Sequence, residues 1–379
     1  MKRLLPRSPQ RGSVIVFVLV LVLLTALLLT RFIETTTVDL LVETRYADRA
    51  RLDQDARSAL EVTLATLADF VAVDHGLFTP AQGWSNPLGY AGYTPRDGVK
   101  VDVAFEDESG KIPLPTASRD TLLGLFQHLG LADADAGKVT DALFFWMHDG
   151  YVPTNSEIDD AAYAAAVVPY EPPHRSLRSF DELRSVLVAR DYFFDDHDQP
   201  KPLYQAFTSA VSLYAFNGSN INANLASTIA AASLDDSQEG KIADYLAGKG
   251  DRIANAPPYL RNARDLRLVL GAAPTTGLVT TIQCLRIKIT VREGASNLVL
   301  TSLVSLPGQA TFPAAASVGD LTAANTAANT TGANADTGNS RATGTTTRTQ
   351  QTNSLQYPFV ILDLTEESST LPPASDAST

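Results

Sequence analysis

The sequence predicts an α+β fold: one long N-terminal helix packed on a small antiparallel sheet, with a large all-α domain inserted. Three observations lead there. A charge-free apolar run passes into an amphipathic pattern with neither proline nor glycine between Arg31 and Val73. Strand-like alternation occurs at Val99–Phe105 and again between Thr281 and Leu306. The stretch 112–272 between them reads as short helices joined by tight turns.

The N-terminus comes first. Residues 1–12 carry Lys2, Arg3, Arg7 and Arg11 and no acid, and no charge occurs from Gly12 to Thr30. Such a run approaches the roughly 20 apolar residues that span a bilayer as a helix. The upstream cations hold the N-terminus in the cytoplasm and place the rest outside. An ordinary secretory signal has a shorter apolar core and a small-residue site after it. Here the small residue, Gly12, precedes the run, and Arg31-Phe32-Ile33-Glu34 follows it. Beyond the membrane, Leu52, Ala56, Leu60, Leu64, Leu67 and Val71 recur at spacings of three and four, one face of a helix. A helix from Ser13 to about Val73 would be roughly 90 Å long.

The chain then divides as follows. Residues 13–31 form the membrane helix, and 32–111 its continuation and the first strand. The helical domain is 112–272, and 273–306 supply further strands. A Thr/Ala/Asn-rich stretch at 307–354 lacks the apolar surface to offset chain ordering and is expected to be a flexible loop. The last strand, Tyr357–Leu362, and a polar tail from Glu366 complete 355–379. Within the helical domain a degenerate duplication is visible. Ile112 with Ala117-Ser118 recurs as Ile221 with Ala226-Ser227, Lys138–Leu143 recurs as Lys241–Leu246, and Glu182–Leu187 recurs as Asp265–Leu270. The order is the same in both copies, and the first holds extra residues, mostly between Trp146 and Ser179.

Composition excludes several functions. A formal net charge of −12 argues against nucleic acid as a partner, since phosphate neutralisation needs a basic footprint. The single cysteine, Cys284, allows neither an intrachain disulfide nor a cysteine metal cluster. No catalytic or nucleotide-binding fingerprint occurs, and the five histidines are dispersed, so no catalytic residue is assigned and no enzyme is expected.

Gly12 followed directly by an apolar helix resembles the processing site of type IV pilins and pseudopilins. The resemblance implies cleavage by prepilin peptidase between Gly12 and Ser13 and methylation of the new amino group, making 1–12 a prepilin leader. Most pilins carry glutamate at the fifth mature position; here it is Phe17. Among pseudopilins, its loss is similar to the K type of minor pseudopilin in type II secretion systems, which caps the tip. That family has D-E-x-G-K followed by I-N-L-N-x-A. This chain has Asp107-Glu108-Ser109-Gly110-Lys111, then Ile112-Pro113-Leu114-Pro115-Thr116-Ala117, with prolines in place of both asparagines.

The same resemblance implies a pilin-like domain interrupted by a helical insertion, anchored in the inner membrane with its bulk in the periplasm. Its partners would be the minor pseudopilins I and J and the major pseudopilin, whose assembly it initiates or caps for protein export. The family's acidic run corresponds to Phe145–Gly150 and Ser156–Tyr163. Crowded carboxylates suit calcium, which takes six to eight oxygen ligands, so Asp149, Glu157, Asp159 and Asp160 are the calcium candidates. Phe145 and His148 stand in two acidic places of that run. A solvated acidic loop with helix-capping residues is the other reading. A second acidic cluster, Asp195–Asp198, matches no calcium loop. Two further identities fit the N-terminus: a minor pilin of a type IV pilus, and a membrane-anchored periplasmic binding protein or enzyme.

Overall fold

The computed structural model describes residues 13–154, 158–166, 168–232, 234–249, 256–271, 275–306, 309–311, 316–317 and 358–370. The leader 1–12, most of the 307–354 stretch and the tail from 371 lie outside the described residues. A single helix, α1, runs Ser13–Asp74, within one residue of the expected end. It contains no helix breaker, and it stops where His75 turns to a positive φ of 59°. From Val14 to Arg51 every residue is exposed. Only above that does α1 acquire a buried face, with Leu52, Ala56, Ala59, Leu60, Leu64 and Leu67 spaced at three and four. Packing therefore holds the upper part alone.

That face lies on a four-stranded antiparallel sheet of β1 (Val99–Asp107), β2 (Cys284–Glu293), β3 (Ser296–Ser305) and β4 (Val360–Thr370), in the order β1-β2-β3-β4. Period-two alternation points Leu285, Ile287, Ile289 and Val291 of β2 and Leu298, Leu300 and Val304 of β3 at the helix. Gly294, at φ 57°, makes the turn between them. Trp84, fully buried, meets Phe105 edge-on at 4.9 Å and closes the β1 side. The last strand departs from expectation. It begins at Val360 and continues through Glu366 and Glu367, paired with β3 to Thr370↔Ser296, where a polar tail was expected. Ladder hydrogen bonds ignore side-chain polarity, and on an edge strand acidic side chains meet water.

The insertion enters after β1 and leaves before β2. It is helical as expected, with α2 (Arg119–His128), α3 (Asp133–Met147), α4 (Ala226–Ala231), α5 (Asp236–Leu246) and α6 (Ala263–Leu270), together with shorter pieces. Two-residue parallel bridges add to it: Ile112–Pro113 pairs with Val211–Ser212, and Ser219–Asn220 with Leu278–Val279.

The two stretches matched in sequence begin with a similar order of elements, although the third match, Glu182–Leu187 with Asp265–Leu270, sets a 3-10 helix against an α-helix. Each copy opens on a short bridge and a 3-10 turn, Leu114–Thr116 or Ile221–Ala223. Two helices follow, α2 and α3 in the first copy and α4 and α5 in the second, and the repeated Lys138–Leu143 and Lys241–Leu246 fall on α3 and α5. Each copy has its own core: Leu122, Phe126, Val139 and Phe207 in the first, and Ile221, Ile229, Ile242 and Leu266 in the second. The equivalent helices α2 and α4 pack on each other.

Candidate assembly surfaces

The lower part of α1 is long and apolar enough to cross a bilayer. Its hydroxyls are satisfied within the helix: Thr25 Oγ1 donates to Val22 O at 2.9 Å and Thr30 Oγ1 to Ala26 O at 3.0 Å. No polar group in this run is left for hydrocarbon to penalise. Ser13 is the first helical residue, and Gly12 lies outside the described residues. Phe17 is 68% exposed. A carboxylate there would be expensive in lipid without a partner, and the phenyl ring presents only apolar surface to neighbours. Above the run, Phe32, Ile33, Val38, Leu40, Leu41, Val42 and Tyr46 are also exposed. A lone helix with this much bare apolar surface outside the membrane-length run needs partners.

The junction between sheet and insertion is polar, buried and closely connected. It is built from Asp107–Lys111, the segment singled out by sequence. Asp107 accepts from Ser109 Oγ at 2.6 Å and from Asn220 Nδ2 at 2.7 Å. Burial pushes its carboxyl up to about 6, against the pull of those two groups and of the Ser109 and Gly110 backbone N–H groups. Glu108, buried, accepts from Lys111 Nζ at 3.1 Å and from Arg286 at 3.0 Å. Burial alone would raise its carboxyl; the two cations outweigh that and hold it below the ordinary carboxylate range.

Gly110 is needed for contact with the second copy, since a Cβ would lie 2.4 Å from that of Ala223. Thr228 Oγ1 donates to Gly110 O at 2.6 Å. Asn222 closes the far side: its Nδ2 donates to Leu260 O at 2.8 Å and Thr280 O at 2.7 Å, and its Oδ1 accepts from Leu260 N at 2.8 Å. By the repeat, Asn222 and Asn224 stand where the first copy has Pro113 and Pro115. The prolines fit because Leu114-Pro115 opens a 3-10 turn, where a missing N–H does no harm. Cys284, buried beside this junction, has its thiol pushed far up by burial, as a structural rather than reactive cysteine would.

The calcium candidates are not brought together by what is described. Asp149 is exposed, on a short bridge to Ser317. Asp159 caps the helix Asp160–Ala164, accepting from Ala162 N at 2.7 Å. Asp160 is 79% exposed, 4.0 Å from His174 Nε2. Glu157 lies outside the described residues, and among those described no three acidic, histidine or cysteine groups gather as a metal site. Three of the four places thus do not by themselves fit a calcium ion. Of the second cluster, Asp195 turns its own loop, accepting from His197 N and Gln199 N, and Asp198 pairs with Arg190 at 2.9 Å.

The carboxylate that organises the first copy is one the sequence did not single out for chemistry, Asp141. Fully buried, it accepts from Arg119 Nε at 2.9 Å, the Tyr151 hydroxyl at 2.8 Å and Thr154 N at 3.0 Å. Burial raises its carboxyl and these bonds more than reverse that. Its repeat counterpart, Asp244, is exposed, so the network belongs to the first copy alone. Comparing the two copies was the sequence signal that could have marked both: Asn222 stands opposite Pro113, and Asp141 opposite the identical Asp244.

Residues 105–193, from the end of β1 through the junction, α2, α3 and the acidic loop, match the family described as type II secretion system (T2SS), protein K. The chain is also similar to one in the crystal structure of the GspK-GspI-GspJ complex from the enterotoxigenic Escherichia coli type 2 secretion system. That similarity has 16% identity and a TM-score of 0.50, covering 69% of this chain and 93% of that one. No curated protein matches the chain.

Proposed function

We propose, from the match of residues 105–193 to the type II secretion system protein K family, that this chain acts as a minor pseudopilin at the tip of the pseudopilus. There it initiates or caps assembly together with the I and J minor pseudopilins for export across the outer membrane. Its stem would sit in the inner membrane, with the N-terminus cytoplasmic and the sheet and insertion in the periplasm. Prepilin peptidase would cut between Gly12 and Ser13. The observation that carries this reading is a 62-residue helix with every residue from Val14 to Arg51 bare, below a family-matching insertion latched to the sheet. Such a stem is made to be covered by other helices, and the bulk above it would leave little room for a further subunit to add. Co-expression of the full chain with its I and J partners, followed by purification from solubilised membranes, should yield all three in fixed proportion. Recovery of this chain alone, with its stem intact, would refute the proposal.

A further inference from the structure

The outward face of α6 is basic in an acidic protein. Residues 256–271 hold the arginines Arg261, Arg264 and Arg267 and a single acid, Asp265, in a chain of formal net charge −12. On α6, Arg267 lies three residues and Leu268 four residues from Arg264, so these side chains share one face. They are exposed, as is Arg261 just before the helix, and Leu268 is 62% exposed. On the opposite face Leu266 and Leu270 are buried in the core of the second copy. The start of the helix is held by Asn262, whose Oδ1 accepts from Arg264 N at 2.9 Å and Asp265 N at 3.1 Å. The basic face is thus presented on a seated element.

Among the described residues none of these guanidinium groups has an ion-pair partner. Exposed arginines elsewhere do: Arg57 pairs with Asp53 at 2.8 Å, Arg190 with Asp198 at 2.9 Å and Arg292 with Asp102 at 3.4 Å. Asp265 accepts from the Arg261 backbone N–H at 3.0 Å and pairs with none of the three guanidinium groups. The Arg261 guanidinium lies over the Tyr259 ring, 5.7 Å from its centroid, and Tyr259, buried, stacks on Phe78 at 5.5 Å. A cation already held on an aromatic face has less freedom left to lose when a ligand fixes it.

We infer that this face docks an acidic segment of another protein, whose carboxylates pair with Arg261, Arg264 and Arg267 and whose apolar side chain covers Leu268. Arginine presents a planar fork of donors that binds a carboxylate through two parallel hydrogen bonds. Leu268 among the arginines gives the patch an apolar centre and a charged rim, the anatomy of a protein interface rather than of a site for a bare anion. The net charge of −12 disfavours nucleic acid. A bilayer surface is out of reach. Tyr259 rests on Phe78, just past the end of α1, and Asp74 stands roughly 65 Å along that helix above Arg31. Charges are screened over about 8 Å at physiological salt. On a molecule acidic elsewhere, an unpaired basic face also selects where an acidic partner lands. The inference goes beyond the proposed function and holds whatever the stem assembles with.

The probe is a fluorescein-labelled helical peptide of repeated Glu-Ala-Leu-Glu, titrated by anisotropy with the full chain in a non-ionic detergent. Its Gln-Ala-Leu-Gln counterpart is the uncharged control. The expected result is saturable binding of the glutamate peptide alone, weakened about tenfold by Arg264→Glu, the size of an interface hot spot, and severalfold by Leu268→Ser. Both substituted side chains are exposed, so the fold should persist, checked by an unchanged Tm. Lys100→Glu, on an exposed residue of β1, makes the same change of charge and should leave binding as it was. No binding of the glutamate peptide, or an equal loss with Lys100→Glu, would overturn the inference. So would displacement of the peptide by millimolar inorganic phosphate, which would make the face a simple anion site. Self-association of the chain in sedimentation, lost in Arg264→Glu, would make the occupant a second copy and likewise overturn it.

Discussion

Replacing Glu108 with glutamine keeps the shape of the junction and removes the charge that Lys111 and Arg286 surround. The Glu108 side chain is 4% exposed, and those of Lys111 and Arg286 are 13% and 29% exposed. Removing one member of a buried ion pair costs about 3–5 kcal/mol, because the remaining charges stay desolvated. Glu106 softens the loss here: it is 52% exposed, reaches Lys111 at 2.7 Å and approaches Arg286 at 3.7 Å. The expected cost is about 2–4 kcal/mol after that partial compensation. Urea unfolding of the full chain in detergent measures it, read separately through Trp84 in the helix–sheet core and Trp146 in the insertion core by replacing the other tryptophan. Both midpoints should fall together, because the junction ties the two cores. A loss below about 0.5 kcal/mol, the level of an ordinary surface change, or one no larger than for Glu106→Gln, would mean that the buried charge does not hold the junction.

The pH profile should show two opposing signs. Asp107 binds its proton more tightly folded, at about 6, than at its ordinary 3.8, so it lowers stability at pH 7 by something on the order of 3 kcal/mol. That deficit is relieved as pH falls through 6, and Asp107→Asn should flatten this limb of a melting curve series. Glu108 is shifted the other way, and its contribution is lost only as pH falls below the ordinary carboxylate range. Asp141→Ala should destabilise by about 3 kcal/mol or more, since Arg119 and two further donors lose their acceptor. Asp244→Ala, at the repeat position, should be nearly neutral by the same unfolding assay. EDTA decides whether Glu157 completes what Asp149, Asp159 and Asp160 do not: a calcium site there predicts a lower Tm, restored by calcium and not by magnesium. An unchanged Tm removes the calcium proposal.

The elements set by periodicity were legible in sequence. The stem could be read to its end because nothing in 13–74 interrupts a helix, and β2 and β3 because their buried faces alternate. Of the three short matches that suggested a duplication, the first two fall on similar elements and the third does not. The length of β4 was not legible: Glu366 and Glu367 read as a tail, and only the backbone pairing with β3 makes them a strand. Nor was the polar junction. Glu108 looks like any loop acid until Arg286, far along the chain, is brought to 3.0 Å. Asn220 likewise acquires its role only when folding sets it beside both Phe78 O, at 3.1 Å, and Asp107. Long-range contacts of this kind leave no local period to read.

The proposed function requires α1 to be a processed stem that enters an assembly side by side with others. The mass of the chain's N-terminus, taken from cells that contain prepilin peptidase, tests it most directly. A processed stem predicts a chain beginning at a methylated Ser13, with Gly12→Val left full length and absent from the complex with I and J. A working complex in which Met1 is still attached would contradict it.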